Sequence, residues 1–175
     1  RDRFMARVSV GYPSVEAELQ MLDVHGGVSP LEDLQPVAHA HDIVKLIEAV
    51  RGVHVADAVR RYAVDLVSAT RNHPDLRLGA SPRATLHLLR AAKASAALSG
   101  REYALPDDVQ ALAVAVLAHR LLPTAQAQLN RRTSEQVVQE ILQRTAVPAA
   151  PQQQSGFGSL GRDTPSYGQQ PPRRL

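Results

Sequence analysis

The segment from Val55 to Arg71 has apolar residues at helical spacing, and this pattern limits the possible folds more than any other in the chain. Its apolar residues recur every three or four positions and are Val55, Ala58, Val59, Tyr62, Ala63, Leu66 and Val67. The opposite side is polar and includes Asp57, Arg61 and Asp65. A helix with one apolar face is stable in water when that face packs against other elements. The segment therefore predicts a bundle of helices.

Five further segments carry helical patterns or the residues that begin and end helices. They are predicted from Ser14 to Gly26, from Ala40 to Arg51, from Ser81-Pro82 to Ser99-Gly100, from Pro106 through Leu122, and onward from Thr133 or Ser134. Ser81 as cap, Pro82 at the first position and Gly100 after the end follow the preferred order of boundary residues. Thr133 and Gln136 have the spacing of a capping box. With a loop over 28–37, the fold class is predicted to be all-α.

The two ends of the chain differ from this helical pattern. Residues 4–12 alternate apolar and polar side chains, which predicts a strand. A lone strand is not stable in water, so it must pair with a sheet that lies elsewhere. Residues 148–175 are rich in Pro, Gln, Gly and Arg and are predicted to be disordered. The predicted organisation is therefore a strand segment (1–12), a helical domain (13–147) and a tail (148–175).

Composition excludes several classes of protein. The absence of cysteine excludes disulfides and cysteine-ligated zinc. No apolar run approaches the roughly 20 residues that span a bilayer, so we expect a soluble, cytoplasmic protein with no membrane span. The net charge is +3, but the tail carries three arginines and one aspartate, which leaves 17 basic and 16 acidic residues in the body. This balance disfavours a helical DNA-binding domain.

Arg83 occupies an unusual position for a cation, in the first turn of the helix predicted from Ser81-Pro82. The positive end of the helix dipole opposes a cation there, whereas it favours anions such as phosphate. An arginine beside a helix start can complete an anion site with two planar hydrogen bonds. The alternative is an arginine that is solvated or paired with a nearby aspartate. Ser81, Pro82 and Arg83 are therefore candidate anion-binding residues.

Other catalytic patterns are missing from the sequence. A phosphate-binding loop requires Gly-x-x-x-x-Gly-Lys-Ser/Thr, and neither Lys45 nor Lys93 follows a glycine. No apolar strand ends in the Asp-Glu pair that would hold Mg²⁺. The seven histidines show no His-Glu-x-x-His spacing, and no serine lies in Gly-x-Ser-x-Gly. The chain is therefore predicted neither to hydrolyse ATP by itself nor to hold a metal site of its own.

Several short motifs resemble, in order and spacing, the MoxR family of AAA+ ATPases. They are Asp2-Arg3-Phe4, Val10-Gly11-Tyr12-Pro13, Ala69-Thr70-Arg71, Gly79-Ala80-Ser81-Pro82-Arg83-Ala84, Gly100-Arg101-Glu102-Tyr103, Pro106-Asp107-Asp108-Val109 and Ala118-His119-Arg120-Leu121. The resemblance extends from residue 1 to about residue 148. It implies a helical AAA+ lid bundle, preceded by a remnant strand of the ATPase core.

The resemblance also implies roles for individual residues. Arg83 is similar to the sensor-2 arginine, which contacts the γ-phosphate of ATP bound in the same subunit, next to Ser81 and Pro82. Arg3 resembles an arginine finger, which reaches the ATP of the neighbouring subunit; arginines stabilise charge on a transferring phosphoryl group. Arg71 and Arg120 also belong to the matched motifs. We interpret both as structural, because arginines at helix ends commonly bind free carbonyls.

Partners and cofactor follow from the same resemblance. It implies ATP as the cofactor, with Mg²⁺ held by an upstream AAA+ core that this chain lacks. It further implies a homo-oligomeric ring, a hexamer, and a chaperone-like role with proteins that carry a von Willebrand factor A domain. The alternative hypothesis is a non-catalytic helical module that holds a partner through the tail or a helix groove. A P-loop upstream in the gene would distinguish the two.

Overall fold

Helices account for most of the chain in this computed structural model, which describes residues 2–24 and 34–148. The α-helices are α1 (Val15–Val24), α2 (Ala40–Gly52), α3 (Asp57–Arg71), α4 (Pro82–Leu98), α5 (Pro106–Leu117), α6 (Ala125–Leu129) and α7 (Ser134–Arg144). A 3-10 turn covers Ala118–Arg120, and two short strands are β1 (Leu76–Leu78) and β2 (Leu122–Pro123). The prediction of an all-α fold is confirmed, since the strands supply only five residues.

The core lies between α3, α4, α5 and α7. The predicted apolar face of α3 is buried through Val59, Tyr62, Ala63, Leu66 and Val67. Helix α4 buries one residue every fourth position, three of them alanines: Ala84, Leu88, Ala92 and Ala96. Small side chains in such a row let neighbouring helices approach closely. The low aromatic content of the sequence predicts an aliphatic core with closely packed helices, and the buried residues of α3 and α4 agree with it.

Helix boundaries follow the predicted signals, with one difference. The Thr133 hydroxyl accepts the Gln136 amide, and the Gln136 side chain accepts the Thr133 amide, so the predicted capping box of α7 is present. At the start of α5 the Asp108 carboxylate accepts the Leu105 amide at 2.8 Å, which is the N3 half of a capping box, while the Leu105 side chain has no acceptor for the return bond. The helix predicted through Leu122 instead ends at Leu117 and tightens into the 3-10 turn. The turn directs Leu122 into β2.

The strand predicted over residues 4–12 is not formed among the described residues. Residues 6–14 have no regular secondary structure, and their main backbone contact is the Arg7 amide, which donates to the Ala115 carbonyl at 2.9 Å. Alternation along the chain cannot make a strand without a neighbour that completes the hydrogen bonds. The expectation that this segment belongs to a larger sheet therefore stays a prediction.

A small antiparallel sheet and α6 are present although the sequence did not predict them. Leu76 pairs with Pro123 and Leu78 with Leu122, with an irregularity between the two pairs. The sheet brings the segment after α3 next to the segment after the 3-10 turn. The paired strands therefore lie next to the loop that leads into α4.

Helices α1 and α2 lie outside the buried core. Residues 15–23 of α1 are exposed, and α2 has no buried residue. Gly26-Gly27, most of the loop predicted over 28–37, and the tail after residue 148 lie outside the described residues. Among the helices within 2–24 and 34–148, none combines the length and apolar character that a bilayer crossing requires.

Candidate functional site

The loop before α4 is held against the end of α3 by hydrogen bonds from the Thr70 and Arg71 side chains to the Ala80 backbone. The Thr70 hydroxyl donates to the Val67 carbonyl and accepts the Ala80 amide at 2.9 Å, and Arg71 Nε donates to the Ala80 carbonyl at 2.9 Å. Gly79 makes this approach possible, because a Cβ there would lie 2.6 Å from the Arg71 Cα and the Thr70 carbonyl oxygen. The structure thus places Arg71 in a structural contact. The loop fixes where α4 begins.

Ser81 occupies the N-cap position of α4, but its side chain does not cap the helix. Its backbone is extended as a cap residue requires, yet its hydroxyl donates to the two carboxylate oxygens of Asp2, both at 3.0 Å. The cap prediction is therefore correct in position and wrong in hydrogen bonding. The Ser81 side chain turns toward Asp2 instead, because a hydroxyl that donates to a charged carboxylate makes a strong hydrogen bond.

Pro82 and Arg83 form the first turn of α4, and both are exposed. Among the described residues, Arg83 has no hydrogen bond or ion pair within bonding distance. Its charge nevertheless lowers the pKa of Asp2, so the two groups are close enough to interact through solvent. The alternative in which an aspartate pairs with Arg83 is thus not found in the described part of the chain, because Asp2 binds Ser81 and Arg120 instead.

A cleft of about 520 Å³ opens beside the start of α4. It is lined by Asp2, Arg71, Arg77, Leu78, Gly79, Ala80, Ser81 and Arg120. Three of these residues are arginines and one is an aspartate, so the lining is net positive. A positive lining next to the positive end of a helix favours an anion.

Arg120 is buried and holds the N-terminal segment through its guanidinium, with a side chain that is 1% exposed. Nε donates to the Val116 carbonyl at 2.7 Å, and Nη1 donates to the Asp2 carbonyl at 2.8 Å and to Asp2 Oδ1 at 2.7 Å. Nη2 donates to the carbonyls of Phe4 at 2.5 Å and Met5 at 3.3 Å. This is the structural role that the sequence predicted for Arg120, extended to residues more than a hundred positions away.

His87 completes the cluster around Arg120. Nη2 of Arg120 donates to His87 Nδ1 at 2.6 Å, so this nitrogen must be an acceptor and the ring neutral. Desolvation lowers the pKa of His87, and the charge of Arg120 lowers it further. Desolvation raises the pKa of Asp2, but the hydrogen bonds from Ser81 and Arg120 outweigh it and hold that pKa below its ordinary value.

Acidification is expected to weaken this cluster through His87. The unfolded chain takes up a proton at this ring near pH 6.5, whereas the folded chain keeps the ring neutral to lower pH. The free energy of unfolding should therefore be fully retained above that pH and fall as pH drops through the lowered pKa. Urea unfolding at about pH 7.5 and about pH 5.5 should show a smaller fall for His87→Gln, because glutamine accepts the bond without titrating. An equal fall in both proteins would contradict this assignment.

Arg3 lies between the residues that Arg120 holds. Its side chain is exposed, while Asp2 on one side and Phe4 on the other are fixed through their carbonyls. The structure does not bring Arg3, Arg71, Arg83 and Arg120 together at one point. It brings Arg71 and Arg120 to one cleft, Arg83 to the helix start beside it, and Arg3 to the adjoining segment.

Asp2 and His87 are the residues of the cluster to which the sequence assigned no role. In the sequence, Asp2 is one residue of a matched motif without a role of its own, and His87 lies on α4 without any metal or catalytic spacing. The available signal was a lone acid next to the candidate finger and a histidine one turn after Arg83. Neither points to Arg120, because 118 residues separate Asp2 from Arg120.

Comparison with known proteins defines the class to which this fold and site belong. Residues 68–141 match the AAA lid domain family. The structure of a proposed ATPase from Cytophaga hutchinsonii aligns with a TM-score of 0.76 at 26% identity, over 85% of this chain and 48% of that chain. Residues 68–141 are thus identified as a helical AAA lid domain.

Individual relatives specify the family. The chain is 38% identical over 147 residues to the uncharacterized protein YeaC of Bacillus subtilis, which covers 84% of this chain and 46% of YeaC. It is 36% identical over 165 residues to Chaperone MoxR1 of Mycobacterium tuberculosis, covering 87% and 43% of the two chains. Protein MoxR of Paracoccus denitrificans is 32% identical over 148 residues, covering 69% and 41%. The chain belongs to the MoxR family of AAA+ ATPases as a lid segment, and it spans about half the length of these relatives.

Proposed function

We propose that this chain is the lid of an ATP-hydrolysing MoxR-type protein and that Arg83 is its sensor-2 arginine. One observation carries the proposal: Arg83 is exposed in the first turn of α4, beside an arginine-lined cleft, and has no acidic partner within bonding distance among the described residues. Placed there, it would contact the γ-phosphate of ATP bound by the upstream half. Ser81 and Pro82 set the position of that first turn.

The energetics favour an anion at this place. A cation at a helix N-terminus costs about 0.3–1 kcal/mol, whereas a phosphate bound there would interact favourably with both the helix end and the cation. The guanidinium can then make charge-assisted hydrogen bonds to phosphate oxygens while the cleft arginines Arg71 and Arg77 add positive potential. Charge that develops during phosphoryl transfer is stabilised by such fixed donors.

Arg3 is proposed as an arginine finger for the neighbouring subunit. Its backbone is held on both sides by Arg120, and its side chain extends into solvent. A finger requires this combination, because a flexible backbone would lose part of the interaction as ordering entropy.

The remaining parts of the machinery would come from outside this chain. The sequence has no phosphate-binding loop, so the upstream core would hold the ATP phosphates and Mg²⁺, and the metal would neutralise charge on the transferring group. A ring of identical subunits, a hexamer, would share each nucleotide between neighbours. The similarity to Chaperone MoxR1 supports a chaperone-like role. A cytoplasmic location and partners that carry a von Willebrand factor A domain belong to the proposal only through the family resemblance of the motifs.

The Arg83 assignment can be tested in this chain joined to its upstream nucleotide-binding half. Arg83→Ala should lower the rate of ATP turnover by about 100-fold, because one fixed donor to the transition state is lost. Arg90→Ala is the matched control, since Arg90 is an exposed arginine two turns further along α4. Arg90→Ala should keep turnover within about twofold of the parent. Equal turnover in the Arg83→Ala and Arg90→Ala proteins would remove the sensor role.

A non-catalytic interaction module is the second candidate, and one observation favours it. The groove between α2 and α4 is lined by exposed or half-buried apolar residues, including Ile43, Leu46, Ile47, Leu86 and Leu89. An apolar groove of this kind suits a partner helix. ATP turnover by the joined protein that depends on Arg83 would decide for the ATPase lid.

A further inference from the structure

We infer that Arg120, Ser81 and Asp2 are positioning residues that join the Arg3 segment and the start of α4 into one rigid unit. The inference rests on the proposed function, in which Arg3 and Arg83 act on two different ATP molecules. It adds a physical link between them that neither motif contains. Lid movement driven by one nucleotide would then move the finger that serves the next.

Three separate parts of the chain meet in this unit. Helix α4 contributes Ser81 and His87, the 3-10 turn contributes Arg120, and the N-terminal segment contributes the carboxylate and carbonyl of Asp2. The Phe4 and Met5 carbonyls extend the contact beyond Arg3 on its other side. Arg3 is therefore bracketed by fixed residues, and Ser81 lies two positions before Arg83 along the chain.

The hydrogen bonds of the Arg120 guanidinium restrict the movement of the residues that they join. A guanidinium is a planar, pre-organised donor that is always charged, so each hydrogen bond restricts little additional motion. Arg120 is almost fully buried, so water does not compete for its donors as it would at an exposed ion pair. Because Nε is bound to the Val116 carbonyl, the guanidinium cannot swing away while the bundle remains folded.

The functional consequence is directional coupling between neighbouring sites. When Arg83 engages the nucleotide of its own subunit, α4 shifts with it, and Ser81 carries Asp2 along. Arg3 then changes its position relative to the nucleotide next door. Without the Ser81–Asp2 contact, the Arg120–His87 bond would still join α4 to the segment, but the link nearest to Arg83 would be lost and the coupling between the two arginines would weaken.

A double-mutant cycle on ATP turnover tests the link in the protein that includes the upstream half. The four proteins are the parent, Ser81→Ala, Arg3→Ala and the double variant. Ser81→Ala should slow turnover about tenfold by misplacing the finger. If Ser81 acts through Arg3, the double variant should be as slow as Arg3→Ala alone. Losses that multiply, or an unchanged rate for Ser81→Ala, would overturn the inference.

Two companion variants separate positioning from folding. Ser81→Thr keeps a hydroxyl and should restore most of the rate, while Asp2→Asn should imitate Ser81→Ala by weakening the other side of the contact. Ser99→Ala is the control, because the Ser99 hydroxyl donates only to the Ser95 carbonyl at the far end of α4. A rate lost in Ser99→Ala would indicate a general effect on α4 and count against the link.

A distance measurement tests stiffness independently of catalysis. This chain has no cysteine, so spin labels can be attached at Phe4→Cys and Leu86→Cys, both exposed positions, once any cysteines of the upstream half are replaced. The distance distribution should be narrow with or without a non-hydrolysable ATP analogue and should broaden in Ser81→Ala. A parent distribution as broad as that of Ser81→Ala would refute the rigid unit. Unchanged turnover in Arg3→Ala would also end the inference, whereas the Arg83→Ala test would still judge the proposed lid function separately.

Discussion

Arg3→Ala is expected to lower ATP turnover by about 1,000-fold in the protein that carries the upstream half, which is the low end of the range for arginine fingers. The side chain is exposed on a backbone that Arg120 holds through the Asp2 and Phe4 carbonyls. In the proposed finger role, its removal would take a positive charge away from the transferring phosphoryl group, while the bonds from Arg120 to the segment would stay in place. ATP binding should be nearly unaffected, because the lost interaction forms in the transition state.

Mixing subunits shows whether Arg3 acts on its own site or on the neighbour's. Arg3→Ala subunits retain an intact nucleotide site, whereas subunits without the P-loop lysine retain an intact finger. If Arg3 serves the neighbouring site, an equal mixture should recover much more turnover than either preparation alone. Arg7→Ala is the control, since Arg7 is an exposed arginine four residues later whose described bond is made by its backbone amide. A mixture that stays inactive would exclude action between subunits.

Gly79→Ala is expected to destabilise the lid by about 3 kcal/mol, as overpacking does in a site that cannot relax. The new methyl group would lie 2.6 Å from the Arg71 Cα and the Thr70 carbonyl oxygen, which are backbone atoms and cannot rotate away. Relief would require the loop to move off α3, which breaks the bonds that Thr70 and Arg71 make to Ala80. Urea unfolding measured by circular dichroism would report the loss.

Gly52→Ala is the matched control for that substitution. Gly52 ends α2, and a Cβ there would meet nothing within 4 Å. Alanine should therefore change the free energy of unfolding by less than about 1 kcal/mol, in the stabilising direction. If Gly79→Ala were as stable as Gly52→Ala, the close contact between the loop and α3 would be wrong.

The sequence predicts the helices well because the physics that forms them is local. The apolar face of α3 and the capping box at Thr133 can be recognised within a few residues, and both are present. Local sequence does not decide whether residues 4–12 form a strand, because a strand needs a neighbouring strand to complete its hydrogen bonds. The pairing of Leu76–Leu78 with Leu122–Pro123 was missed since strands this short have no readable period.

The sequence predicts individual residues of the candidate site, but it does not predict the hydrogen bonds that join Asp2 to Ser81 and Arg120. Arg83 stands out because its charge opposes the helix dipole, which is a property of adjacent residues. The Ser81 hydroxyl looked like a helix cap for the same local reason, but the fold offers it the Asp2 carboxylate. Contacts between Asp2 and Arg120 arise from packing of the 3-10 turn against the N-terminal segment, and no local pattern encodes that packing.

Arg120 holds the N-terminal segment largely through hydrogen bonds to main-chain oxygen atoms, those of Asp2, Phe4 and Met5. Every amino acid has this oxygen, so the grip does not depend on which side chains occupy positions 3, 4 and 5. The side chains at positions 4 and 5 can therefore be exchanged to suit a different neighbouring surface without loss of these bonds. Arg3 is constrained by its proposed finger role, and Asp2 and Arg120 are constrained because their own side chains form the bonds.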